Sequence, residues 1–255
     1  MKISVSHLFF AALSGILTAL SFPKFNLYFL AWISLLPLFF IILKKSAKQS
    51  FLLGYLAGIF FYGLLLYWIP SVPAHYGNLS LGLSLVIYAI FVLFLALFWA
   101  FFFLLLTKIQ ESFPKFVYLL APFLWISFEY ILTYILTGFP WGLLGASQFK
   151  NIYFVQMASL GGVYGLSFVL VLFQSMFTFS ITYRRRSPFF IGLALILLIH
   201  LGGILSLKKI PHTEKSFPAA VIQGNVSSDI YWNEISTAEI FDLFKQHLDL
   251  SQKSY

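Results

Sequence analysis

The sequence contains no cysteine among its 255 residues. Disulfide bonds, thiolate metal ligands and a cysteine nucleophile are therefore all excluded from this chain. Charged residues are also scarce, since they make up 9% of the chain, against roughly 25% in an average soluble protein. The five histidines show no metal-ligand spacing, so the sequence predicts neither a metal site nor a cofactor.

Acidic residues are nearly absent from most of the chain. Of the eight Asp and Glu residues, only Glu111 and Glu129 precede residue 208. The net charge of +8 therefore comes mainly from Lys and Arg between apolar segments. A nucleic-acid-binding protein would carry basic residues interleaved with aromatic ones on a soluble domain. The sequence has no such domain, and this class is excluded.

Apolar residues, by contrast, make up 60% of the chain. They form continuous runs, and a helix needs roughly 20 mostly apolar residues to cross a bilayer. We therefore expect an α-helical polytopic membrane protein with about seven transmembrane helices in residues 1–207. The seven runs are Val5–Phe22, Leu27–Leu43, Phe51–Ile69, Ser80–Leu106, Phe116–Thr137, Ile152–Ile181 and Phe189–Leu207. The sixth run is long for one span, and Gly161–Gly162 is expected to kink or end it.

Basic residues are distributed unevenly between the two sides of the bundle. With the N-terminus inside, the short outside loops hold only Lys24 and Lys150. The inside segments hold nine, namely Lys2, Lys44, Lys45, Lys48, Lys108, Lys115, Arg184, Arg185 and Arg186. The positive-inside rule then predicts a cytoplasmic N-terminus. An odd number of spans places residues 208–255 outside the cytoplasm, although Lys208 and Lys209 count slightly against this.

Residues 208–255 are more polar than the rest of the chain. Ala219–Gln223 is typical of a short buried strand, and Ser236–Glu239 matches a capping box at the start of a helix. An apolar stripe follows over Ile240–Leu248 at helical spacing. One strand and one helix cannot bury a self-sufficient core. We therefore expect the first β-α unit of an α/β domain whose remainder is missing.

Five ordered blocks of sequence resemble a known family. They are Ala19–Phe40, Gly54–Ile69, Ala121–Gln148 (containing APFLWISFEY and LTGFPWGLLGASQ), Leu160–Phe168 and Ala219–Trp232 (AAVIQGNVSSDIYW). In these blocks the chain resembles the bacterial apolipoprotein N-acyltransferases over its whole length. The resemblance implies a transmembrane helical domain at 1–207. It also implies that 208–255 begins an extracytoplasmic nitrilase-like domain that is incomplete in a truncated chain.

The resemblance further implies an acyltransferase of the bacterial inner (plasma) membrane. Such an enzyme transfers a fatty acyl chain from a phospholipid to the N-terminal diacylglyceryl-cysteine of a lipoprotein, the last step of lipoprotein maturation. The family uses a Cys thioester, a Glu base and a Lys, and by the family's order all three fall beyond Tyr255. The chain alone is therefore expected to be inactive. The implied partners are the phospholipid donor, the diacylglyceryl-lipoprotein acceptor and, as one alternative, a separately encoded catalytic half.

The sequence departs from the family pattern at two places. An Arg often follows the Glu-aromatic pair in the family, where this chain has Ile131–Thr133. Gln174 stands where an Asn is usual. Either change could alter lipid handling without altering the fold.

Four candidate site residues, Phe139, Pro140, Trp141 and Gln148, lie in the loop after the fifth apolar run. Phe139, Pro140 and Trp141 follow a helix-ending Gly, at a depth where aromatic rings favour the membrane interface. They are read either as a simple interfacial anchor or as a lining for lipid entry, in a loop that continues without charge to Gln148.

Two further candidates stand apart from this loop. By resemblance, Trp232 matches the Trp that follows the family's QGN strand, where it would line an acyl or headgroup pocket or merely cap the turn. Glu129 lies inside an apolar run, where an ionisable residue is a functional candidate. The favoured reading of Glu129 is an interhelical hydrogen bond.

Two other functions stay open at this point. The chain could be a non-catalytic remnant or the membrane subunit of a split enzyme. A small transporter is a different class, but transporters typically show internal repeats and broken helices around a central site. A single intramembrane acid and no evident repeat argue against it.

Overall fold

A computed structural model describes residues 3–208 and 237–252. The chain divides into two units, Met1–Ile210 and Pro211–Tyr255, and each is described by itself. The described part of the first unit is built from α-helices and short 3-10 helices. The α-helices are α1 (Val5–Leu20), α2 (Leu36–Ile42), α3 (Ala47–Leu65), α4 (Ser71–Tyr76), α5 (Leu81–Ser112), α6 (Val117–Tyr134), α7 (Ala158–Thr182) and α8 (Ser187–Lys208). The 3-10 helices are Tyr28–Trp32, Ile135–Thr137, Leu144–Gln148 and Val155–Met157.

Five helical segments are long and apolar enough to cross a membrane. They are Ala47–Leu65, Leu81–Ser112, Val117–Thr137, Val155–Thr182 and Ser187–Lys208. Together they establish a multi-pass membrane protein. The two remaining apolar segments, Val5–Leu20 and Tyr28–Ile42, are helical but shorter. All seven predicted runs are thus helical, whereas the count of seven spans is not confirmed.

Small residues allow α1, α3 and α5 to pack closely. A Cβ atom added at Gly15 of α1 would collide with the carbonyl oxygen of Ala57 in α3. A Cβ added at Gly58 would lie 2.9 Å from the Cα of Ala96 in α5. Lipid tails are as apolar as the helix surfaces, so close backbone packing of this kind holds membrane helices together.

The second apolar segment is broken between its 3-10 helix and α2, and side chains from other helices satisfy the freed backbone groups. The Gln174 side chain in α7 accepts a hydrogen bond from the Leu35 N–H (2.7 Å) and donates one to the Ala31 carbonyl (3.1 Å). The Ser14 hydroxyl in α1 accepts from the Leu38 N–H (3.1 Å). A broken helix is tolerated inside a membrane when neighbours satisfy its backbone in this way.

A kink divides α7 near its beginning. Gly162 has φ +60° and ψ −163°, which are not helical values. This confirms that the Gly161–Gly162 pair interrupts the sixth apolar run. A glycine adopts such a conformation readily because it has no Cβ.

The described part of the second unit is one helix, α9 (Thr237–Gln252). It confirms the helix predicted from the apolar stripe, although Phe244 and Leu248 are each about half exposed. The predicted strand Ala219–Gln223 and the candidate Trp232 lie outside the described residues. No strand occurs among the described residues, so the β-α unit stays a prediction.

Candidate functional site

Glu129 is buried in α6 and links that helix to the loop Gly138–Gln148 that follows it. One carboxylate oxygen, Oε1, accepts a hydrogen bond from the Trp125 indole N–H (2.8 Å), one turn earlier in the same helix. The same oxygen accepts from the backbone N–H of Leu144 (2.7 Å). Hydrogen bonds to a charged or strongly polar acceptor are stronger than neutral ones, and burial removes competing water. Glu129 therefore fixes the far end of the loop against α6.

Two more side-chain contacts hold the same loop. The Ser167 hydroxyl in α7 accepts a hydrogen bond from the Gly145 N–H (2.8 Å). The Gln148 amide donates to the Tyr28 carbonyl (2.8 Å) and accepts from the Trp32 indole N–H (3.2 Å). The loop is thus joined to α6, to α7 and to the 3-10 helix Tyr28–Trp32.

The turn that leads from α6 into the loop has a strained backbone. Leu136 and Thr137 have φ values of +49° and +80°, and Gly138 follows at +86°. A Cβ added at Gly138 would collide with the Thr133 carbonyl, so only glycine fits there. Non-glycine residues rarely adopt positive φ, and such strain persists only where the surroundings impose it.

An aromatic cluster lies at this end of the bundle. The Phe139 ring is 4.9 Å from the Phe91 ring and 5.5 Å from the Trp141 ring, measured between centroids. The Trp141 ring in turn lies 5.0 Å from the Trp68 ring. Trp141 and Pro140 are exposed, while Phe139 is partly buried against the core. The loop therefore presents an aromatic surface where α3 and α6 end.

A small cavity lies beneath the loop and is lined by Glu129, Tyr62 and Trp125, among others. It has space for about one water molecule. The second carboxylate oxygen of Glu129, Oε2, has no hydrogen-bond partner among the described residues. Gly142 lines this cavity and also a wider groove on the surface. The site thus consists of a buried carboxylate, Glu129, and the aromatic residues of the loop above it, Phe139 and Trp141.

The structure brings five of the six predicted site residues onto one helix and its loop. They are Glu129, Phe139, Pro140, Trp141 and Gln148. Their roles in function stay predictions. The interhelical hydrogen bond expected for Glu129 stays a prediction, since the hydrogen bonds to its Oε1 come from Trp125 in its own helix and from the loop backbone. The loop folds back over α6 and places the Leu144 N–H 2.7 Å from the Glu129 carboxylate.

Sequence reasoning missed Ser167 and Thr133. Ser167 lies in the block LGGVYGLSF, which was noticed only for its family resemblance. Thr133 lies where the family pattern has an Arg nearby. Its hydroxyl donates to the Glu129 carbonyl (2.9 Å) and accepts from the Tyr164 hydroxyl (2.9 Å). At this departure the chain therefore joins α6 to α7 by neutral hydrogen bonds.

The helical unit matches a known family by sequence. Residues 14–176 match the family model described as the apolipoprotein N-acyltransferase N-terminal domain. The match contains Glu129, the loop and Ser167. It ends before the last part of the chain.

Several curated relatives carry the same family name. The apolipoprotein N-acyltransferase of Geobacter metallireducens is 33% identical over 253 residues, which cover 96% of this chain and 47% of the relative. That of Coxiella burnetii is 29% identical and covers 88% of this chain and 47% of the relative. Apolipoprotein N-acyltransferase 1 of Treponema denticola is 32% identical over 66% of this chain and 30% of the relative.

The chain spans about half the length of the first two of these relatives. The matched region runs through most of the helical unit, from α1 into α7. The chain belongs to the apolipoprotein N-acyltransferase family.

Proposed function

We propose that this chain is the membrane part of an enzyme that transfers a fatty acyl chain from a phospholipid to the N-terminal diacylglyceryl-cysteine of a lipoprotein. Family membership and the relatives' name support this reaction. The single observation that supports a role in lipid handling is the structure of the loop Gly138–Gln148. It is fixed from below by Glu129 and turns aromatic rings outward at the end of the bundle.

The chemistry itself requires groups that this sequence does not supply. Acyl transfer through a thioester needs a cysteine thiolate activated by a base. The chain has no cysteine, and the family's Glu, Lys and Cys would follow in the nitrilase-like domain that begins within residues 208–255. The catalytic half would be provided either on the same polypeptide or as a separate one. The 255 residues alone are then a non-catalytic part, which is how the remnant and split-enzyme alternatives fit the same proposal.

The loop would form the lipid-facing part of this enzyme. Phe139, Pro140 and Trp141 would line a path for the phospholipid. By family resemblance alone, Trp232 would line an acyl or headgroup pocket. Aromatic rings are well suited to this place because they are stable at the depth of lipid headgroups. Glu129 and Gln148 would position the loop without touching the substrate.

Orientation follows from the basic residues and from the number of long helices. The loops containing Lys44–Lys48 and Arg184–Arg186 would face the cytoplasm. The five long helices give an odd number of membrane crossings. The two shorter segments add either two crossings or none, so the total stays odd. In both cases the N-terminus is cytoplasmic and residue 220 onward is periplasmic, in the bacterial inner membrane.

Complementation tests the proposal. Cells depleted of their own apolipoprotein N-acyltransferase would express this chain together with the remaining half of the Geobacter relative. We expect growth and acylated lipoproteins only when both parts are present. The remaining half alone is the control. Equal rescue by that half alone would show that the chain contributes nothing to the reaction.

A further inference from the structure

An open groove lies at the end of the bundle where α1, α3 and α6 stop. Its volume is about 410 Å³. Its walls come from the segments that follow these three helices, and Trp68 and Trp141 border it with rings 5.0 Å apart. The floor is apolar and includes Phe22 and Leu66, both of which are buried. The groove therefore combines an apolar floor with an interfacial aromatic rim.

One cation, Lys24, lines this groove. Its Nζ lies 3.5 Å from the centroid of the Tyr67 ring, which also lines the groove. An ammonium over a tyrosine face is held by attraction to the ring. The side chain remains exposed, so the ammonium stays accessible from the groove.

The backbone around Lys24 holds this position. Lys24 has φ +84° and Asn26 has φ +59°. The turn is closed by hydrogen bonds from the Asn26 N–H to the Phe22 carbonyl (2.9 Å) and from the Leu27 N–H to the Leu20 carbonyl (3.2 Å). Strain of this kind is tolerated where the surrounding structure imposes it. The backbone from which the Lys24 side chain extends is thus fixed by the fold.

Among the residues that the structure describes, no carboxylate lines the groove with Lys24. In the described part of the first unit, the two acids are Glu129, buried beneath the loop, and Glu111, at the last turn of α5. Within the described part of the first unit, the groove therefore offers a positive charge with no negative one beside it.

We propose that this groove binds the phosphodiester of an anionic phospholipid, with Lys24 as the residue that selects the headgroup. A lysine ammonium is a point-charge ligand for phosphate. The glycerol and the first acyl carbons would lie on the apolar floor. A zwitterionic headgroup carries its own ammonium, which would meet Lys24 and find no acid among the described residues that line the groove. Phosphatidylglycerol therefore binds in preference to phosphatidylethanolamine.

This inference rests on the proposed function only in that Pro140 and Trp141 belong to both the groove and the proposed lipid path. It concerns binding and headgroup choice, and the lipid bound here need not be the acyl donor. Its test therefore measures binding to the full chain and requires no catalytic half.

The experiment uses the purified full chain in detergent. Phosphatidylglycerol and phosphatidylethanolamine with identical brominated acyl chains would be titrated, because bromine quenches the fluorescence of nearby tryptophans such as Trp68 and Trp141. A single lysine near anionic lipid contributes about a five-fold change in affinity. We expect at least that preference for phosphatidylglycerol. Lys24→Met should abolish the preference, and Lys24→Arg should keep it.

Lys150→Met is the matched control. Lys150 also follows α6, but its Nζ lies 5.8 Å from the Phe149 ring and it does not line the groove. Its variant should bind phosphatidylglycerol as the native chain does. Equal affinity of the native chain for the two lipids, or unchanged selectivity in Lys24→Met, would overturn the proposal. So would the same loss in Lys150→Met.

Inorganic phosphate separates a lipid site from a simple anion site. We expect phosphate at concentrations matching the lipid to leave the quenching unchanged, because it lacks the apolar part that the floor receives. Displacement of the lipid by phosphate at equal concentration would overturn the assignment to a phospholipid. The thermal unfolding temperature of each variant checks that the exposed Lys24 can be replaced without unfolding.

Discussion

The Glu129 carboxylate accepts a hydrogen bond from the backbone N–H of Leu144, 2.7 Å away, and so joins α6 to the loop that covers its end. The two residues are fifteen positions apart. Between them lie the strained turn at Leu136–Gly138 and the aromatic residues of the proposed lipid path. One buried acid therefore fixes the loop at Leu144, beside the contacts that Ser167 and Gln148 make with the same loop.

Replacing this acid should destabilise the helical unit. Glu129→Ala leaves the Leu144 N–H and the Trp125 indole N–H buried without an acceptor, and an unsatisfied buried donor costs about 1–3 kcal/mol. We expect the free energy of unfolding in detergent to fall by about 2 kcal/mol. Glu129→Gln keeps a carbonyl oxygen at the same place and should cost less than half of that.

Glu111→Ala provides the comparison for the Glu129 variants. Glu111 is exposed near the end of α5, so its loss should leave stability unchanged. If Glu129→Ala were as stable as Glu111→Ala, the loop would not depend on the carboxylate.

The amide of Gln174 should be equally necessary for the broken second segment. Gln174→Leu removes the acceptor of the Leu35 N–H and the donor to the Ala31 carbonyl, both buried. We expect a loss of about 2 kcal/mol, because lipid offers no substitute partner. Gln156→Leu is the control, since that amide donates only to the Ile152 carbonyl at an exposed position. Equal unfolding curves for the two variants would contradict this role.

The helical runs could be predicted from the sequence because long apolar stretches have few alternatives in a membrane. The hydrogen-bond partners of the break before α2 could not be predicted in this way. The stretch Tyr28–Ile42 is mostly apolar, with Pro37 in the first turn of α2 as the one local signal. The group that satisfies the break, Gln174, lies 139 residues after Leu35. A local pattern carries no sign of so distant a partner.

The candidate site divides in the same way. The aromatic residues after α6 could be placed near the interface from a glycine, a proline and their neighbours in the sequence. The partner of Glu129 could not, because it is a backbone N–H supplied by the path of the loop. Lys24 was counted only as a loop charge, since its position over the Tyr67 ring depends on two separate helix ends meeting.

The aromatic loop should matter for acylation when a catalytic half is present. Trp141→Ala removes the ring contacts with Trp68 and Phe139, each worth about 1 kcal/mol. We expect acylation with the complementing half to fall about five-fold. Tyr134→Ala removes a similarly exposed ring from the end of α6, outside the groove, and should have little effect. If Trp141→Ala acylated at the native rate, the proposal that the loop lines the lipid path would be contradicted.

The orientation of the chain can be measured with reporter fusions. A reporter joined after Arg186 should be active as a cytoplasmic fusion, and one joined after Lys215 as a periplasmic fusion, because α8 separates the two sites. A fusion at the N-terminus should match the first. If the fusions after Arg186 and Lys215 reported the same side, α8 would not cross the membrane and the topology would be wrong.

The central claim is that the chain forms the membrane part of an N-acyltransferase whose nucleophile lies elsewhere. Mass spectrometry of a diacylglyceryl peptide tests it most directly, after incubation with phospholipid and the purified chain, with or without the remaining half of the Geobacter relative. We predict that the peptide gains the mass of one acyl chain only when the second half is added, and not when the cysteines of that half are replaced. Acylated peptide formed by the 255-residue chain alone would contradict the account, because a chain without cysteine would then be performing the chemistry.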